Sequence, residues 1–319
     1  MPDTSRERPP TLAAAKFSDP HWTASGEQRA SVALARLRTL WFNTGTLCNI
    51  ACDNCYIESS PTNDRLAYLS REDVEDYLDE IDRLGYGVEE IGYTGGEPFM
   101  NRDCAAMIAL SLARGYTVLV LTNAMKPLHH ARDALLDLHR RHGQALTLRV
   151  SVDHYRQEQH ESVRGPGTWQ PMIDGLTWLA QHGFHVTVAS RTLWQESEHE
   201  LRAGFAGLFR QLGIGINCDD PTVLVLFPEM DLQTDVPEIT ERCWGILGVS
   251  PEDMMCATSR MVIKRKGEAS PAVVPCTLLP YDTTLELGRH LADAVDSVRL
   301  NHPFCAQFCV LGGASCSAG

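Results

Sequence analysis

Between Leu37 and Cys218 short apolar runs alternate with longer stretches in which apolar residues recur every three or four positions. Short runs rich in β-branched residues and bounded by turn residues predict strands; the longer period predicts helices with one buried face. The predicted strands are Leu37–Asn43, Val88–Tyr93, Thr117–Thr122, Leu146–Val152 and Phe184–Ser190, with a sixth at Gly213–Asn217 or at Thr222–Phe227. Helix ends are marked as well. Ser70, with Asp73 three residues later, opens a helix with the stripe Val74, Tyr77, Leu78, Ile81 and Leu84, and Gly85 stops it. Another runs through Trp169, Met172, Ile173, Leu176 and Leu179 to Gly183, and Asp103–Arg114 and Ala131–Arg141 fill two further intervals.

Strand–helix alternation predicts an α/β fold with a parallel sheet. Six units are too few for a closed barrel of eight, which leaves an open partial barrel or a doubly wound sheet. In both, chemistry gathers beyond the carboxyl ends of the strands. After Phe227-Pro228 the pattern gives way to prolines, turns and cysteines. A boundary is therefore expected near 230. It separates a flexible N-terminal segment (1–30) and an α/β unit (31–230) from a small cysteine-rich unit (231–319).

Composition narrows the function. Of 319 residues, 44% are hydrophobic and 22% charged, which is ordinary for a globular chain. No apolar run approaches the ~20 residues of a membrane span. Met1–Ala30 has no apolar core of a secretory signal, so a cytoplasmic protein is expected. The net charge is −13, and the longest basic run is Lys264-Arg265-Lys266, which reads as a solvated turn. Neither suits a nucleic acid partner.

The cysteines carry the chemistry. Eleven is an odd, high count for a reducing compartment and points to metal rather than disulfides. Cys48, Cys52 and Cys55 sit directly after the first predicted strand, and Cys243, Cys256, Cys276, Cys305, Cys309 and Cys316 lie in the C-terminal unit. Structural zinc normally takes four ligands, and ordinary ferredoxin runs supply four thiolates per cluster. Three thiolates leave one iron of a cluster open, which is an arrangement for binding a ligand and reacting it.

The Cys48-Asn-Ile-Ala-Cys52-Asp-Asn-Cys55-Tyr56 loop resembles the signature of the radical S-adenosylmethionine (radical SAM) enzymes. Thr94-Gly95-Gly96-Glu97-Pro98, at the end of the second strand, is similar to that family's GGE motif, and the likeness spans residues 37–218. It implies a partial (β/α)6 TIM-like barrel and a [4Fe-4S] cluster on Cys48, Cys52 and Cys55 with one open iron. The methionine end of SAM would lie against Gly95, Gly96 and Glu97, the glycines admitting a ligand and Glu97 accepting from its ammonium. Further cofactor contacts are expected from Tyr56, Ser151, Asp153 and Arg191. The likeness departs at Asn54, where the family often has an aromatic residue. It implies reductive SAM cleavage to a 5′-deoxyadenosyl radical that takes hydrogen from the substrate, with electrons from a flavodoxin- or ferredoxin-type donor.

Cys256 and Cys276 flank a predicted hairpin turning at Lys264-Arg265-Lys266-Gly267, and Cys305 and Cys309 follow as a close pair. This resembles the twitch and SPASM modules that follow some radical SAM barrels. It implies one auxiliary cluster on Cys256, Cys276, Cys305 and Cys309, with Cys243 or Cys316 as substitutes. A zinc site or buried free thiols is the plainer alternative.

Other candidates are weaker. His154, Tyr155, His160 and Arg164 follow the fourth strand, where a substrate contact and a polar loop are both expected. Cys218, beside Asp219 and Asp220, is a candidate hydrogen donor. Glu229 and Asp231 stand at the boundary, Cys104 reads as core, and His129-His130 as a solvated loop pair. The expectation is thus an oxidoreductase-type radical enzyme. Because Met1–Ala30 is too short for a peptide-binding winged helix, a small-molecule substrate is favoured over a peptide or protein side chain. An iron–sulfur electron carrier or sensor is the alternative from another class.

Overall fold

The structure is a computed structural model that describes residues 16–314. In chain order it contains β1 (Ser31–Val32), β2 (Thr39–Asn43), α1 (Arg71–Leu84), β3 (Glu90–Thr94), α2 (Cys104–Ala113), β4 (Thr117–Thr122), α3 (Lys126–His130), α4 (Arg132–His142), β5 (Leu146–Ser151), α5 (Gln157–Arg164), α6 (Trp169–Gln181), β6 (His185–Arg191), α7 (Glu198–Leu212), β7 (Leu224–Phe227), α8 (Cys243–Leu247), α9 (Met255–Thr258), β8 (Ser259–Ile263), β9 (Ala272–Val274) and β10 (Val298–Arg299). Strands β2 to β7 are consecutive parallel neighbours, giving the six expected strand–helix units in an open, mostly parallel sheet. The sixth strand is the later of the two candidates, Leu224–Phe227.

Local chemistry explains the helix ends. Ser70 Oγ accepts from the Asp73 amide at 3.1 Å and Asp73 accepts from the Ser70 amide at 2.8 Å, the reciprocal pair of a capping box. Gly85 closes α1 at φ 66°, a left-handed conformation that glycine adopts without penalty. Ser197 and Glu200 repeat the device on α7. The His129-His130 pair, expected in a loop, ends the short helix α3 instead.

The period-2 alternation of the strands sends alternate side chains to opposite faces. Leu40, Phe42, Ile91, Val118, Val120, Leu148 and Val150 pack into the main core with α1, α2, α4, α6 and α7. Trp41, Leu119, Met261, Ile263 and Val274 form a second core with Phe304 and Phe308 from the C-terminal segment. Gly92 belongs to this inner face because a β-carbon there would stand 2.3 Å from the Trp41 ring.

Beyond residue 230 the chain returns to the same sheet: β8 pairs in parallel with β2, and β9 runs antiparallel to β8, making eight strands. The hairpin predicted between Cys256 and Cys276 is therefore continuous with the barrel strands. Its basic turn is paired rather than merely solvated, Lys264 to Asp73, Arg265 to Glu286 and Lys266 to Asp64. The expectation of a flexible segment over 1–30 needs a correction in its described part. Residues 16–30 pack onto the C-terminal region, because Arg29 is fully buried and pairs with Glu238 at 2.5 Å, and β1 joins β10. Residues 1–15 lie outside the described part, as does Cys316. Among the described residues no helix is long and apolar enough to cross a membrane.

Candidate active site

The loop that leaves β2 is held by backbone hydrogen bonds on all sides. The Cys48 amide donates to Ser60 O at 3.0 Å, the Asp53 amide to Val163 O at 2.7 Å, and the Glu58 amide to Cys55 O at 2.7 Å. Cys48 is buried and Cys52 and Cys55 are half-buried. Burial pushes the Cys48 thiol up to about 12 and also raises Cys52. Thiols desolvated in this way ionise only against a compensating cation, as a bound iron provides. Asn54, the departure from the family pattern, takes a left-handed φ of 53°, which asparagine tolerates better than a bulky aromatic. Its amide donates to Glu229 at 2.8 Å.

The Gly95-Gly96 turn packs backbone to backbone against this loop. The Gly96 amide donates to Gly45 O at 2.8 Å and the Glu97 amide to Leu47 O at 3.1 Å. A β-carbon would lie 2.5 Å from Gly45 O at position 95 and 2.2 Å from Leu47 O at position 96, and Gly95 has φ 140°. The glycines are thus demanded first by the contact between the two motif loops, and only through it by a ligand. Glu97 also differs from expectation. It is 1% exposed, and its carboxylate accepts from the Asn123 amide (2.8 Å), Thr122 Oγ1 (2.9 Å) and the Phe99 amide (3.3 Å). Burial pushes its pKa up to about 7 in spite of these donors. It bolts the end of β3 to the end of β4, while the cavity is lined by Thr94, Gly95 and Gly96.

Two adjoining cavities open at the carboxyl ends of the strands. One, of about 130 Å³, is lined by Cys48, Cys52, Cys55, Gly95, Gly96 and Asn123. The other, of about 460 Å³, runs from Cys52, Cys55 and Tyr56 past Ser151, Asp153 and Arg164 to Phe227, Met230, Phe304 and Phe308. Tyr56, Ser151 and Arg164 border both. Asp153 is held by Arg164 at 2.8 and 3.2 Å, so it is matched before any ligand arrives. Arg191, the other charged residue expected to contact the cofactor, is likewise clasped by Glu229.

Cys218 needs a correction as a hydrogen donor. It lies in the core between sheet and helices, borders neither cavity, and its thiol, pushed up to about 11 by burial, points to Ile216 O. His154 and Tyr155 are tied to Glu196 outside the cavities, and Cys104 is core as read. Asn123 was missed: its amide donates toward Cys48 Sγ at 3.9 Å and to Asn49 at 2.9 Å. The available signal was the polar Thr122-Asn123 pair closing an apolar strand.

In the C-terminal segment Cys256, Cys276, Cys305 and Cys309 border one small cavity of about 20 Å³ with no acidic or histidine side chain in its lining. Cys305 and Cys309 share a π-helical turn, Cys305–Val310, a rare geometry that recurs at functional sites. Burial raises Cys256 to about 11 and lifts Cys305 well above the ordinary thiol range. Cys243 is apart, accepting from Thr240. Among the described residues no three His, Cys, Asp or Glu side chains converge on one point as ligands of a single ion do.

Residues 42–203 match the Radical SAM superfamily. The chain belongs to that superfamily. It is an enzyme family whose members use SAM and a [4Fe-4S] cluster. Among curated relatives, the subtilosin biosynthesis protein AlbA of Bacillus subtilis is 29% identical over 153 residues, covering 46% of this chain and 32% of AlbA. The mycofactocin maturase MftC of Mycolicibacterium smegmatis is 27% identical over 168 residues (52% and 40%). The GTP 3′,8-cyclase of Tolumonas auensis is 27% identical over 173 residues (52% and 48%). The chain thus spans less than half the length of each. Among solved structures, Streptococcus suis SuiB bound to its precursor peptide SuiA aligns with a TM-score of 0.58 at 12% identity, over 83% of this chain and 66% of SuiB. The structure of anSMEcpe with bound AdoMet aligns at 0.56 and 13%, over 81% and 77%. These likenesses carry the fold.

The first site suits the family's cofactors. Three thiols and a glycine-lined turn share one cavity, and thiolates of a cubane each bind a different iron, so they need not converge on one point. The C-terminal quartet suits an iron–sulfur cluster by its all-thiol donor set.

Proposed function

We propose that this enzyme cleaves SAM reductively and uses the resulting 5′-deoxyadenosyl radical to take a hydrogen atom from a peptide or protein side chain. The observation that carries the proposal is the meeting of Cys48, Cys52, Cys55, Gly95 and Gly96 around one cavity that opens into the larger one. Cys48, Cys52 and Cys55 would hold the cluster, and the Asn123 amide, which points toward Cys48 Sγ at 3.9 Å, would favour its reduced form. The backbone of Thr94 to Gly96 would meet the methionine end, Tyr56 and Leu121 the adenine, and Ser151 and Arg164 the polar edges of the nucleoside. Phe227, Met230, Phe304 and Phe308 give the far end of the cavity an apolar wall, with Glu229, Asp231 and Gln233 beside it as polar contacts for a substrate.

The choice of a peptide reverses the expectation of a small molecule. The larger cavity lies at the low end of the roughly 300–1,000 Å³ that single-ligand sites occupy, and it must serve a nucleoside as well. A side chain reaching in from a longer chain uses less of that space than a second whole ligand. AlbA is named for the biosynthesis of a bacteriocin, MftC is named a maturase, and SuiB is seen bound to a precursor peptide. The second reading, chemistry on a small molecule, is favoured by the GTP 3′,8-cyclase relatives. The four C-terminal cysteines would hold an auxiliary cluster. A flavodoxin- or ferredoxin-type protein would supply the electron, in a cytoplasmic setting.

The test is release of 5′-deoxyadenosine, followed by mass spectrometry, from anaerobically reconstituted protein given SAM and dithionite. Wild type should release it and the Cys48/Cys52/Cys55→Ala variant should not. A size-fractionated extract of the source cells then identifies the substrate class. Stimulation that is retained by a filter and destroyed by protease supports the peptide; stimulation that passes the filter and survives protease supports the small molecule.

A further inference from the structure

Arg29, Arg164 and Arg260 stand beside the functional parts of the fold, buried or largely so, and two of them have an acid to match. Arg29 pairs with Glu238 and Arg164 with Asp153. Arg260, on β8, is fully buried and has none among the described residues. Its guanidinium donates only to backbone carbonyls: Ala294 O at 2.8 Å, Cys256 O at 2.5 Å, Ser259 O at 2.8 Å and Asp296 O at 3.4 Å. Carbonyl dipoles satisfy its hydrogen-bonding capacity but not its charge, and a buried, unmatched cation is costly. Its hydrogen bond to Cys256 O seats it against the turn that brings Cys256 to the all-cysteine cavity, which Cys276 also borders.

We infer that Arg260 is the built-in counter-charge of the auxiliary cluster, holding the Cys256 turn by its hydrogen bonds and setting the cluster's reduction potential by its charge. The inference rests on the auxiliary-cluster reading of those four cysteines. A cubane held by four thiolates is a net anion, and adding an electron makes it more so. A fixed cation in the same low-dielectric region favours the reduced state, so its removal drives the potential down. The geometry also explains why a positive charge survives in an apolar layer made of Ala257, Cys256 and Val298. Arg260 is a positioning residue, since it touches the Cys256 backbone and not the substrate cavity.

The test uses the full chain with Cys48, Cys52 and Cys55 changed to alanine, so that only auxiliary iron remains. Iron is counted, and the midpoint potential is read by EPR-monitored titration. Arg260→Gln should lower the potential by the equivalent of about a tenfold change in the one-electron equilibrium, 59 mV, and Arg260→Lys should restore most of it. Tyr86→Glu keeps the arginine and sets a carboxylate on the same turn, since the Tyr86 phenol donates to Leu291 O and Arg260 to Ala294 O, and that turn is closed by the Ala294 amide on Leu291 O. It should shift the potential in the same direction, and it decides the matter if Arg260→Gln does not fold. A parent chain that carries no iron overturns the auxiliary-cluster reading and this inference with it. A parent that carries iron at a potential unmoved by Arg260→Gln and by Tyr86→Glu overturns the inference alone.

Discussion

Arg191, at the end of β6, and Glu229, just after β7, form a two-pronged ion pair that reaches across to the cysteine loop. Glu229 also accepts from the Asn54 side chain at 2.8 Å, and Arg191 donates to Asp53 O at 3.2 Å. The residues between Cys52 and Cys55 are therefore fastened to two strand ends by one pair of charges. Partners of this kind around metal ligands commonly set affinity more than fold. Glu229→Ala should raise the rate of cluster loss to a chelator several-fold, followed as bleaching of the visible absorption, while the melting temperature moves by a few degrees. Equal chelator sensitivity in the variant and the wild type would remove the fastening role.

Gly96 makes a sharper demand. A methyl group there meets Leu47 O at 2.2 Å, and the atom it meets is backbone that cannot swing aside. Gly96→Ala should push the cysteine loop off the β3 turn and lower iron bound after reconstitution to under half of wild type. Gly207→Ala, within α7 where a β-carbon meets open space, is the matched control and should leave the bound iron at the wild-type level.

How much of this was legible in the sequence depends on the kind of signal. The parallel strands and α1 were readable because periodicity, the Ser70–Asp73 cap and Gly85 are local and agree with one another. The two cysteine groups were readable from spacing, and the structure brings each around one cavity. Partner choice was not readable. Nothing local to Arg191 says that Glu229, far along the chain, will claim it, and nothing near Glu97 says that β4 will supply its donors. The same holds for the segment 16–30, whose polar composition hid a buried anchor at Arg29. Cys218 misled because it follows the earlier candidate for the sixth strand, Gly213–Asn217, whereas the strand that forms is Leu224–Phe227 and Cys218 precedes it.

Glu97 gives a pH signature. Its folded pKa, about 7, lies above the unfolded carboxylate value, so the folded chain binds this proton more tightly. The stability it contributes is fully present below the unfolded value and is lost as pH rises through about 7, by up to ~3 kcal/mol. Denaturant unfolding of the iron-free chain from about pH 5 to 8 should show this fall, and Glu97→Gln should flatten it. A wild-type profile no steeper than that of the variant would show that the carboxylate ionises in the folded chain as easily as in the unfolded one.

The C-terminal thiols differ in their surroundings. Cys256, Cys276, Cys305 and Cys309 border one cavity, whereas Cys243 accepts from Thr240 and Cys104 and Cys218 are packed among apolar side chains of the main core. Two cubanes would give about eight irons per chain and one about four. Alanine at any of the quartet should bring the count toward about four and remove one set of signals from the Mössbauer spectrum. Alanine at Cys104, Cys218 or Cys243 should leave the iron count at the wild-type value, although the first two, being buried in well-packed surroundings, should lower stability by about 1 kcal/mol or more through the void they leave. Iron lost on changing Cys243 would move the ligand set toward α8. A wild-type count of about four, unaffected by any of the quartet, would leave those four cysteines as buried thiols behind the Phe304–Phe308 wall.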